Sequence, residues 1–324
     1  MPKLKSPSSQ LKSVPLSHIN TGDDTYRITT RTNVDDLLAS IPGEGVLSPP
    51  FVIEKGAGFA IVSGFRRIAA CTKLGTEDII VRILEPTGNS LDYLRVAIAD
   101  NAYQRPLDLI ETSRSLHKLA GHLNKMQDLV ETAASLGLPT NPAAIEKIQD
   151  LCLLPDSIQG AIMNGTISLS MAMDLKKLRP DCAAAFVKLF DEFKLSLNKQ
   201  REIMSLVKEI ARRDDISEQT VLKERQLQDI VRSPDLDRNQ KARKFRAHLR
   251  QRRFPQIVKT EAEFAYQRQK LGLGNDINII PPKDFEGLTY TITMSVSSID
   301  HLQRLYTKLG RIIKHPSLKR IIDR

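Results

Sequence analysis

The sequence predicts a multidomain α+β protein in which a small mixed sheet with helices precedes all-α regions and a small αβ C-terminal unit. Short apolar runs alternate with helical patterns up to about residue 100. Helical patterns then follow one another to about residue 270, and strict alternation of apolar and hydroxylic residues from Leu288 to Ser297 indicates one late strand. The 324 residues suffice for two or three compact units.

The predicted domain limits follow these changes of pattern. Residues 1–13 are rich in Ser, Pro and Lys and are predicted to form a disordered tail. The remaining units are a mixed-sheet domain at 14–105, a helical domain with a helix-turn-helix at 106–195, a basic helical region at 196–270, and an αβ unit at 271–324.

Individual elements are predicted from periodicity and from capping residues. In the first domain, strands are expected at 14–19, 50–55, 58–64 and 78–84, and helices at 33–41, 65–75 and 91–105. Further helices are expected at 107–123, 127–137, 142–154, 155–165 and 298–316. The strand beginning at Leu288 is predicted to be half-buried and to pair with 275–281, with a second copy of the chain, or with both.

Charge is concentrated in one part of the chain. The net charge is +10, and residues 191–324 carry 28 basic and 18 acidic side chains, which accounts for all of the excess. A local basic excess predicts a polyanion-binding surface. No apolar run is long enough for a membrane span, and three distant cysteines exclude a disulfide framework, so a cytoplasmic protein is expected.

The stretch Ser63-Gly64-Phe65-Arg66-Arg67 is the sharpest chemical feature. A predicted strand ends in glycine, and a predicted helix opens with two arginines. The free N–H groups and the dipole of a helix start favour an anion, and guanidinium groups suit phosphate oxygens. The alternative is a pair of surface arginines after a turn.

A second feature is Asp100-Asn101-Ala102-Tyr103-Gln104-Arg105. On a helix, Asp100 and Gln104 share a face, as do Asn101 and Arg105. A carboxylate beside an amide can hold Mg²⁺ together with substrate phosphates. The alternative is an ordinary polar helix end.

Two further segments are candidates for DNA contact. The helix expected at 142–154 would be the recognition helix, with Thr140, Asn141, Lys147 and Gln149 as base or phosphate contacts, or it would be a scaffold with little specificity. The segment 238–253 has eight basic residues and no acid, so polyanion contact is favoured over a solvated charged helix. Those eight are Arg238, Lys241, Arg243, Lys244, Arg246, Arg250, Arg252 and Arg253.

Taken together, these motifs resemble the ParB-type (ParB/RepB/KorB-like) partition proteins over roughly residues 14–178. GVLSPPFVIEKGAGFAIVSGFRRIAACTKLG is similar to their loop, hairpin and GERRxRA pattern, and ADNAYQRPLDLIE to their ENxQRxDLxPxE segment. LVETAASLG followed by LCLLPDSIQGAIMNGTIS is similar to their helix-turn-helix.

The resemblance implies a ParB/sulfiredoxin-like domain that takes CTP with Mg²⁺ and closes two protomers into a clamp on double-stranded DNA. The implied functions are chromosome or plasmid segregation in the nucleoid, slow CTP hydrolysis and work with a ParA-type ATPase. The nucleotide-binding residues carried over are Arg27, Ser63, Gly64, Arg66, Arg67, Asp100, Asn101, Gln104 and Arg105, with Asp100 and Asn101 also engaging the metal.

Departures from the family pattern leave alternatives open. Phe65 replaces the glutamate of GERR, Asp100 replaces the glutamate of ENxQR, Ser48 replaces the loop glutamine, and Thr25-Tyr26 replace Gln-Pro. These changes fit a ParB-fold transcriptional regulator of a plasmid or mobile element without nucleotide turnover. A third alternative is a ParB-like nuclease or phosphotransfer enzyme.

Overall fold

The computed structural model describes residues 8–323, and the chain divides into two compact units, Met1–Val187 and Lys188–Arg324. The α+β class with a small mixed sheet is confirmed. The domain limit predicted at residue 105 falls inside the first compact unit, because the sheet and the helices that follow it share a core. The finer limits at 195 and 270 stay predictions.

The sheet of the first unit has five strands in the order β1-β5-β3-β4-β2. Pairs β1/β5 and β3/β4 are antiparallel, whereas β3/β5 and β2/β4 are parallel. The strands are β1 Ser9–Pro15, β2 Ile19–Asn20, β3 Phe51–Lys55, β4 Gly58–Ser63 and β5 Asp78–Leu84.

The prediction for the start of the chain is wrong in part. Ser9–Pro15 pairs with β5 along its whole length, from Ser9 opposite Leu84 to Pro15 opposite Asp78, so residues 9–13 are not a disordered tail. The strand predicted at 14–19 is instead the end of β1, a 3₁₀ turn at Leu16–His18, and β2. Hydrogen bonds supplied by β5 compensate for the low hydrophobicity of this segment. Residues 1–7 of the predicted tail lie outside the described part.

Both units contain helices along most of their length. In chain order they are α1 Asp35–Glu44, α2 Phe65–Leu74, α3 Ser90–Ala102, α4 Leu109–Ala120, α5 Met126–Ser135, α6 Pro142–Ile148, α7 Asp156–Met163, α8 Leu169–Lys176, α9 Pro180–Phe193, α10 Leu197–Asp214, α11 Glu218–Leu222, α12 Arg225–Arg232, α13 Arg238–Arg253, α14 Pro255–Lys270, α15 Ile299–Ile313 and α16 Pro316–Ile322. Within residues 8–323, no helix has the length and apolar character that a bilayer crossing requires.

Both faces of the sheet are buried. Ile61 and Val62 are neighbours on β4 and point to opposite faces. Ile61 packs with Ile68 of α2, whereas Val62 belongs to the cluster that contains Ile98 of α3 and residues of α4, α5 and α6. The helix-turn-helix region therefore packs against the same core as the sheet that precedes it.

The candidate recognition helix is shorter than predicted. It begins at Pro142, with the Asn141 side chain accepting a hydrogen bond from the Ala144 N–H, but it ends at Ile148. A 3₁₀ turn at Leu151–Leu153 replaces the predicted continuation to residue 154. The Ser113 hydroxyl of α4 donates to the Gln149 carbonyl and accepts from the Cys152 N–H, and these bonds stabilise the turn.

In the second unit, β6 (Ile277–Ile280) pairs antiparallel with β7 (Thr291–Met294), as predicted for 275–281. Ile277 and Ile279 are buried, but all four residues of β7 are exposed. The half-buried strand predicted from Leu288 to Ser297 is therefore wrong in length and in burial. None of the described residues of this unit buries Ile292 or Met294 of β7, which are 38% and 39% exposed.

Arg105 and Glu111 join the end of α3 to the start of α4. Glu111 is fully buried, and each of its oxygens lies 2.6 Å from an Arg105 guanidinium nitrogen. The same carboxylate accepts from the Thr30 N–H and, as part of a capping box, from the Asp108 N–H. Burial raises the pKa of Glu111, but these donors outweigh it and lower the pKa to about 2.

We expect Glu111→Gln to lower the free energy of unfolding by about 3 kcal/mol at neutral pH, because Arg105 loses its carboxylate. The folded-state pKa lies below the usual value of 4.5, so the charged pair stabilises the fold above pH 4.5. The difference between the variant and the natural protein should shrink as pH falls from there towards 2. Urea unfolding across this pH range measures it, and Glu131→Gln, on the exposed side of α5, is the control. A pH-independent difference would contradict the assignment.

Candidate nucleotide site and nucleic-acid surfaces

A glycine turn joins β4 to α2 at the sharpest sequence motif. Gly64 has φ +95°, a left-handed conformation that favours glycine. A Cβ at this position would lie 2.8 Å from Cβ and 3.0 Å from Cα of Pro50. The turn therefore needs glycine for its backbone angle and for the close approach of the loop that ends at Pro50. It places the first N–H groups of α2 at a cavity.

That cavity has a volume of about 340 Å³ and brings most of the predicted site residues together. It is lined by segments from α1, the loop after it, the β4–α2 turn and the end of α3. The predicted residues that line it are Ser63, Gly64, Arg66, Arg67, Asp100, Asn101, Gln104 and Arg105. The two arginines and the acid-amide pair thus share one cavity, although their role in nucleotide binding stays a prediction.

Arg67 and Asp100 form the centre of the cavity wall. The Arg67 guanidinium lies 3.2 Å from Asp100 Oδ2 and also donates to the carbonyl and hydroxyl oxygens of Ser48. Asp100 accepts from the Ser63 hydroxyl and, at 2.8 Å, from the Gln104 amide. The side chain at 67 therefore connects α2 to α3 and to the loop that contains Ser48.

Arg66 is held on the opposite side of the cavity by α1. Its Nε donates to the Asn33 carbonyl at 2.8 Å, and its terminal nitrogen pairs with Asp36. The Arg66 guanidinium lowers the pKa of Asp36 through their hydrogen bond. Asp36 is exposed, so a phosphate could replace this carboxylate at Arg66 with little loss of packing.

Arg27 is the predicted nucleotide-site residue that does not line this cavity, and its role in nucleotide binding stays a prediction. Its guanidinium lies 5.0 Å from the centroid of the Phe65 ring and donates to Asp24 at 2.9 Å. Phe65 is buried and does line the cavity. The aromatic ring, which replaces the glutamate of the family pattern, makes a cation–π contact with Arg27.

The donors at the cavity suit a metal ion that arrives with phosphate. Asp100 supplies a carboxylate, while the Asn101 amide nitrogen donates to the Ala97 carbonyl at 2.8 Å. Among residues 8–323, no three His, Cys, Asp or Glu side chains gather as a metal site. Mg²⁺ usually binds through one or two carboxylates plus substrate phosphates and water, so this donor set fits Mg²⁺ bound to a nucleotide.

The predicted DNA contacts on the helix-turn-helix differ in availability. Thr140 and Lys147 are exposed, and the Asn141 side chain is engaged as the N-cap of α6. Gln149 is half-buried at the C-terminal end of α6. From the predicted set, the outward surface therefore offers the Lys147 ammonium group, the Thr140 hydroxyl group and the amide nitrogen of Asn141.

Acids of neighbouring helices neutralise part of the positive charge of the basic helix α13. Acids from neighbouring helices pair with four of its arginines: Arg246 with Glu202, Arg250 with Glu261, Arg252 with Asp214, and Arg253 with Glu209. The Lys241 ammonium donates to the Val231 carbonyl. Among the described residues, Arg238, Arg243 and Lys244 make no ion pair, and they are the ones left to contact a polyanion.

Comparison with known proteins gives the family of the N-terminal region. Residues 2–102 match the ParB N-terminal domain family. This part of the chain is a ParB N-terminal domain. It contains the glycine turn, both arginines, Asp100 and Asn101, so the resemblance drawn from the sequence is confirmed there.

The similarity to relatives extends beyond this domain. A probable plasmid-partitioning protein ParB of Thermus thermophilus is 24% identical over 212 residues, which are 56% of this chain and 70% of the relative. A chromosome-partitioning protein ParB of Myxococcus xanthus is 23% identical over 53% of this chain and 56% of its own length. The C-terminally truncated ParB of Caulobacter crescentus complexed with CTP-gamma-S is 23% identical, covers 56% of this chain and 99% of its own, and has a TM-score of 0.27.

Three residues of the site were not singled out by sequence reasoning for the contacts they make. The sequence gives no specific role to Asp36 or Glu111, and Ser48 stands out in it only as a departure from the family loop. Their partners, Arg66, Arg67 and Arg105, come from other segments of the chain. No local pattern signals such pairs, although an acid in the first turn of α4 was a visible cap.

We expect Gly64→Ala to destabilise the protein by about 2 kcal/mol, because a positive φ and a clash with the Pro50 backbone act together. Gly88→Ala is the matched control: its φ is +72°, but nothing lies within 4 Å of its Cβ position, so the cost should be only about 1 kcal/mol. Thermal unfolding of both variants checks this. Equal losses would show that close approach to Pro50 is unimportant.

Proposed function

We propose that this protein is a ParB-type partition protein that binds CTP with Mg²⁺ and, as a dimer, forms a nucleotide-gated clamp on double-stranded DNA. The observation that carries the proposal is the single cavity at which the glycine turn, Arg66, Arg67 and the Asp100–Asn101 pair meet. A metal-bound triphosphate requires cations and free N–H groups, such as those at the start of α2. It also requires a carboxylate for the metal, which Asp100 supplies.

The triphosphate would lie across the start of α2. Backbone N–H groups after Gly64 would donate to its oxygens, and Arg66 and Arg67 would add charge-assisted hydrogen bonds. Both arginines are already held by protein oxygens at Asp36, Ser48 and Asp100, so they are positioned before the ligand arrives. Phosphate would then displace the exposed Asp36 carboxylate from Arg66.

Mg²⁺, when bound, would neutralise phosphate charge and orient the phosphate chain. Asp100 would supply its carboxylate and Asn101 its amide oxygen. Ser63 and Gln104 both donate to Asp100 and would hold the carboxylate in place.

Arg67→Ala should weaken CTP-Mg²⁺ binding at least about tenfold, because loss of a charged hydrogen-bond donor costs about 1.5–3 kcal/mol. Isothermal titration measures the affinity, and Arg82→Ala is the control, since Arg82 is an exposed residue of β5 outside the cavity. Wild-type protein that gives no heat with CTP-Mg²⁺ would remove the nucleotide proposal.

A regulator without nucleotide turnover is the second candidate, and the position of Arg27 favours it. Phe65 holds this arginine away from the cavity, so the site has one cation fewer than the family pattern implies. Phosphate release from CTP in the presence of DNA distinguishes the two functions. A protein that binds CTP and DNA but releases no phosphate is the regulator.

DNA would be held by the helix-turn-helix, through Thr140, Lys147 and the start of α6, and more weakly by Arg238, Arg243 and Lys244 of α13. The first set would read or position a site, and the second would add a salt-dependent contact. Such a protein would act in the cytoplasm at the nucleoid, with a ParA-type ATPase as motor.

In the dimer, the second copy of the chain would cover the apolar face of β7 and α15. On α15, Leu305 and Ile312 face the core, whereas Ile299, Leu302, Tyr306 and Ile313 follow one outer face and are 40–76% exposed. Met294 of β7 is also exposed. A two-stranded sheet is marginal alone, and pairing β7 with its copy would extend the sheet and bury this face.

Tyr306→Glu should convert the dimer to a monomer at micromolar concentration, because a charge at the centre of a buried apolar face costs about 2 kcal/mol or more. Light scattering after size-exclusion chromatography gives the mass. Thr307→Glu introduces the same charge at an exposed position about 100° around α15 from Tyr306, to one side of the apolar face, and should leave the dimer intact. A wild-type monomer at all concentrations would contradict the proposal.

A further inference from the structure

A second cavity lies between the segment at residues 24–32 and helix α4, within the first unit. Its volume is about 390 Å³. Arg27 and Thr29 line it from the segment, and Arg114, His117 and Lys118 line it from α4. None of the sequence motifs pointed to this cavity, because its cations come from two stretches more than 80 residues apart.

The charge of the lining is positive. Arg114, His117 and Lys118 stand at positions i, i+3 and i+4 of α4, so they share one face of the helix. Asp24 is the acid of the lining and pairs with Arg27 at 2.9 Å, and His117 lies 3.4 Å from Asp150. Two permanent cations, Arg114 and Lys118, are left without a carboxylate partner among residues 8–323.

Backbone carbonyls hold these two cations in place. The Lys118 ammonium donates to the carbonyls of Asp24 and Thr25, at 3.1 and 2.6 Å, and Arg114 donates to the Thr29 carbonyl at 3.0 Å. Burial lowers the pKa of Lys118, and nearby Asp24 opposes that shift. An anion in the cavity would compensate for the lost hydration of the ammonium group.

Phe65 relates this cavity to the first. Its ring lines the nucleotide cavity, while Arg27, 5.0 Å from the ring centroid, lines the second one. Thr29 lines both. The arginine expected at the triphosphate is thus part of a separate cationic site on the other side of an aromatic ring.

We propose that this second cavity binds a phosphate group. Guanidinium forks, an ammonium group and a threonine hydroxyl are the donors that phosphate oxygens accept from, and the volume suits one or two phosphates. Two sources share this chemistry. One is a backbone phosphate of DNA, because α4 packs against α5 and α6 of the helix-turn-helix. The other is a free polyphosphate.

Binding of a free polyphosphate is tested with inorganic pyrophosphate. The protein carries Arg67→Ala, which impairs the first cavity. Arg67→Ala protein should still bind pyrophosphate by isothermal titration, and adding Arg114→Gln should weaken that binding at least about tenfold. Adding Lys73→Gln, an exposed lysine at the end of α2, removes the same charge elsewhere and should change nothing. This arm does not depend on CTP binding.

The DNA arm rests on the DNA binding proposed above and uses the full chain with a short fluorescent duplex. Arg114→Gln should weaken binding and reduce the slope of log K against log salt by about 1, whereas Lys73→Gln should leave both unchanged. Arg27→Gln, on the opposite wall, should act in the same way, and thermal unfolding shows whether each variant folds.

The outcomes separate the two sources. Pyrophosphate binding that Arg114→Gln abolishes supports a free polyphosphate, and an effect confined to the duplex supports a DNA phosphate. Absence of pyrophosphate binding in the Arg67→Ala protein, together with duplex binding that is absent or unaffected by both variants, overturns the proposal. A loss of CTP binding alone would contradict the nucleotide proposal and leave this one standing.

Discussion

The ion pair between Arg67 and Asp100 is the contact on which the site depends. It connects α2 to α3, and through Ser48 it also fixes the loop that ends at Pro50. The pair is mostly buried at the cavity wall, where water screens a charge less than at the surface. The two helices otherwise pack into separate core clusters on opposite faces of the sheet. One arginine thus bridges three of the segments that line the cavity.

A second ion pair extends that connection towards the helices that are proposed to bind DNA. Arg105 lines the nucleotide cavity and binds Glu111, which caps α4, and α4 packs on α5 and α6. Hydrogen-bonded groups therefore run from the cavity to the helix-turn-helix within one core. This continuity gives a physical route by which a ligand at Arg67 could alter DNA contacts.

Charge compensation decides how the basic region can act. Read along the chain, 238–253 is a run of eight cations without an acid. In the fold, α13 packs beside α10 and α14, and their glutamates pair with Arg246, Arg250 and Arg253. Exposed pairs of this kind contribute little to stability, but they reduce the positive field available to DNA. The basic helix α13 therefore has less unpaired positive charge than the sequence suggests.

The sequence by itself determined the α+β class, the strand–glycine–helix turn at Gly64, the helix caps and most residues of the nucleotide cavity, because those features depend on local periodicity and on motifs within a few residues. Features that depend on contacts between distant parts of the chain were decided only by the tertiary structure. It placed residues 9–13 in the sheet through β5, placed Arg27 over the Phe65 ring, shortened α6 and left β7 exposed. Each of these outcomes depends on a partner distant in sequence, and hydrophobic periodicity contains no information about which partner that is.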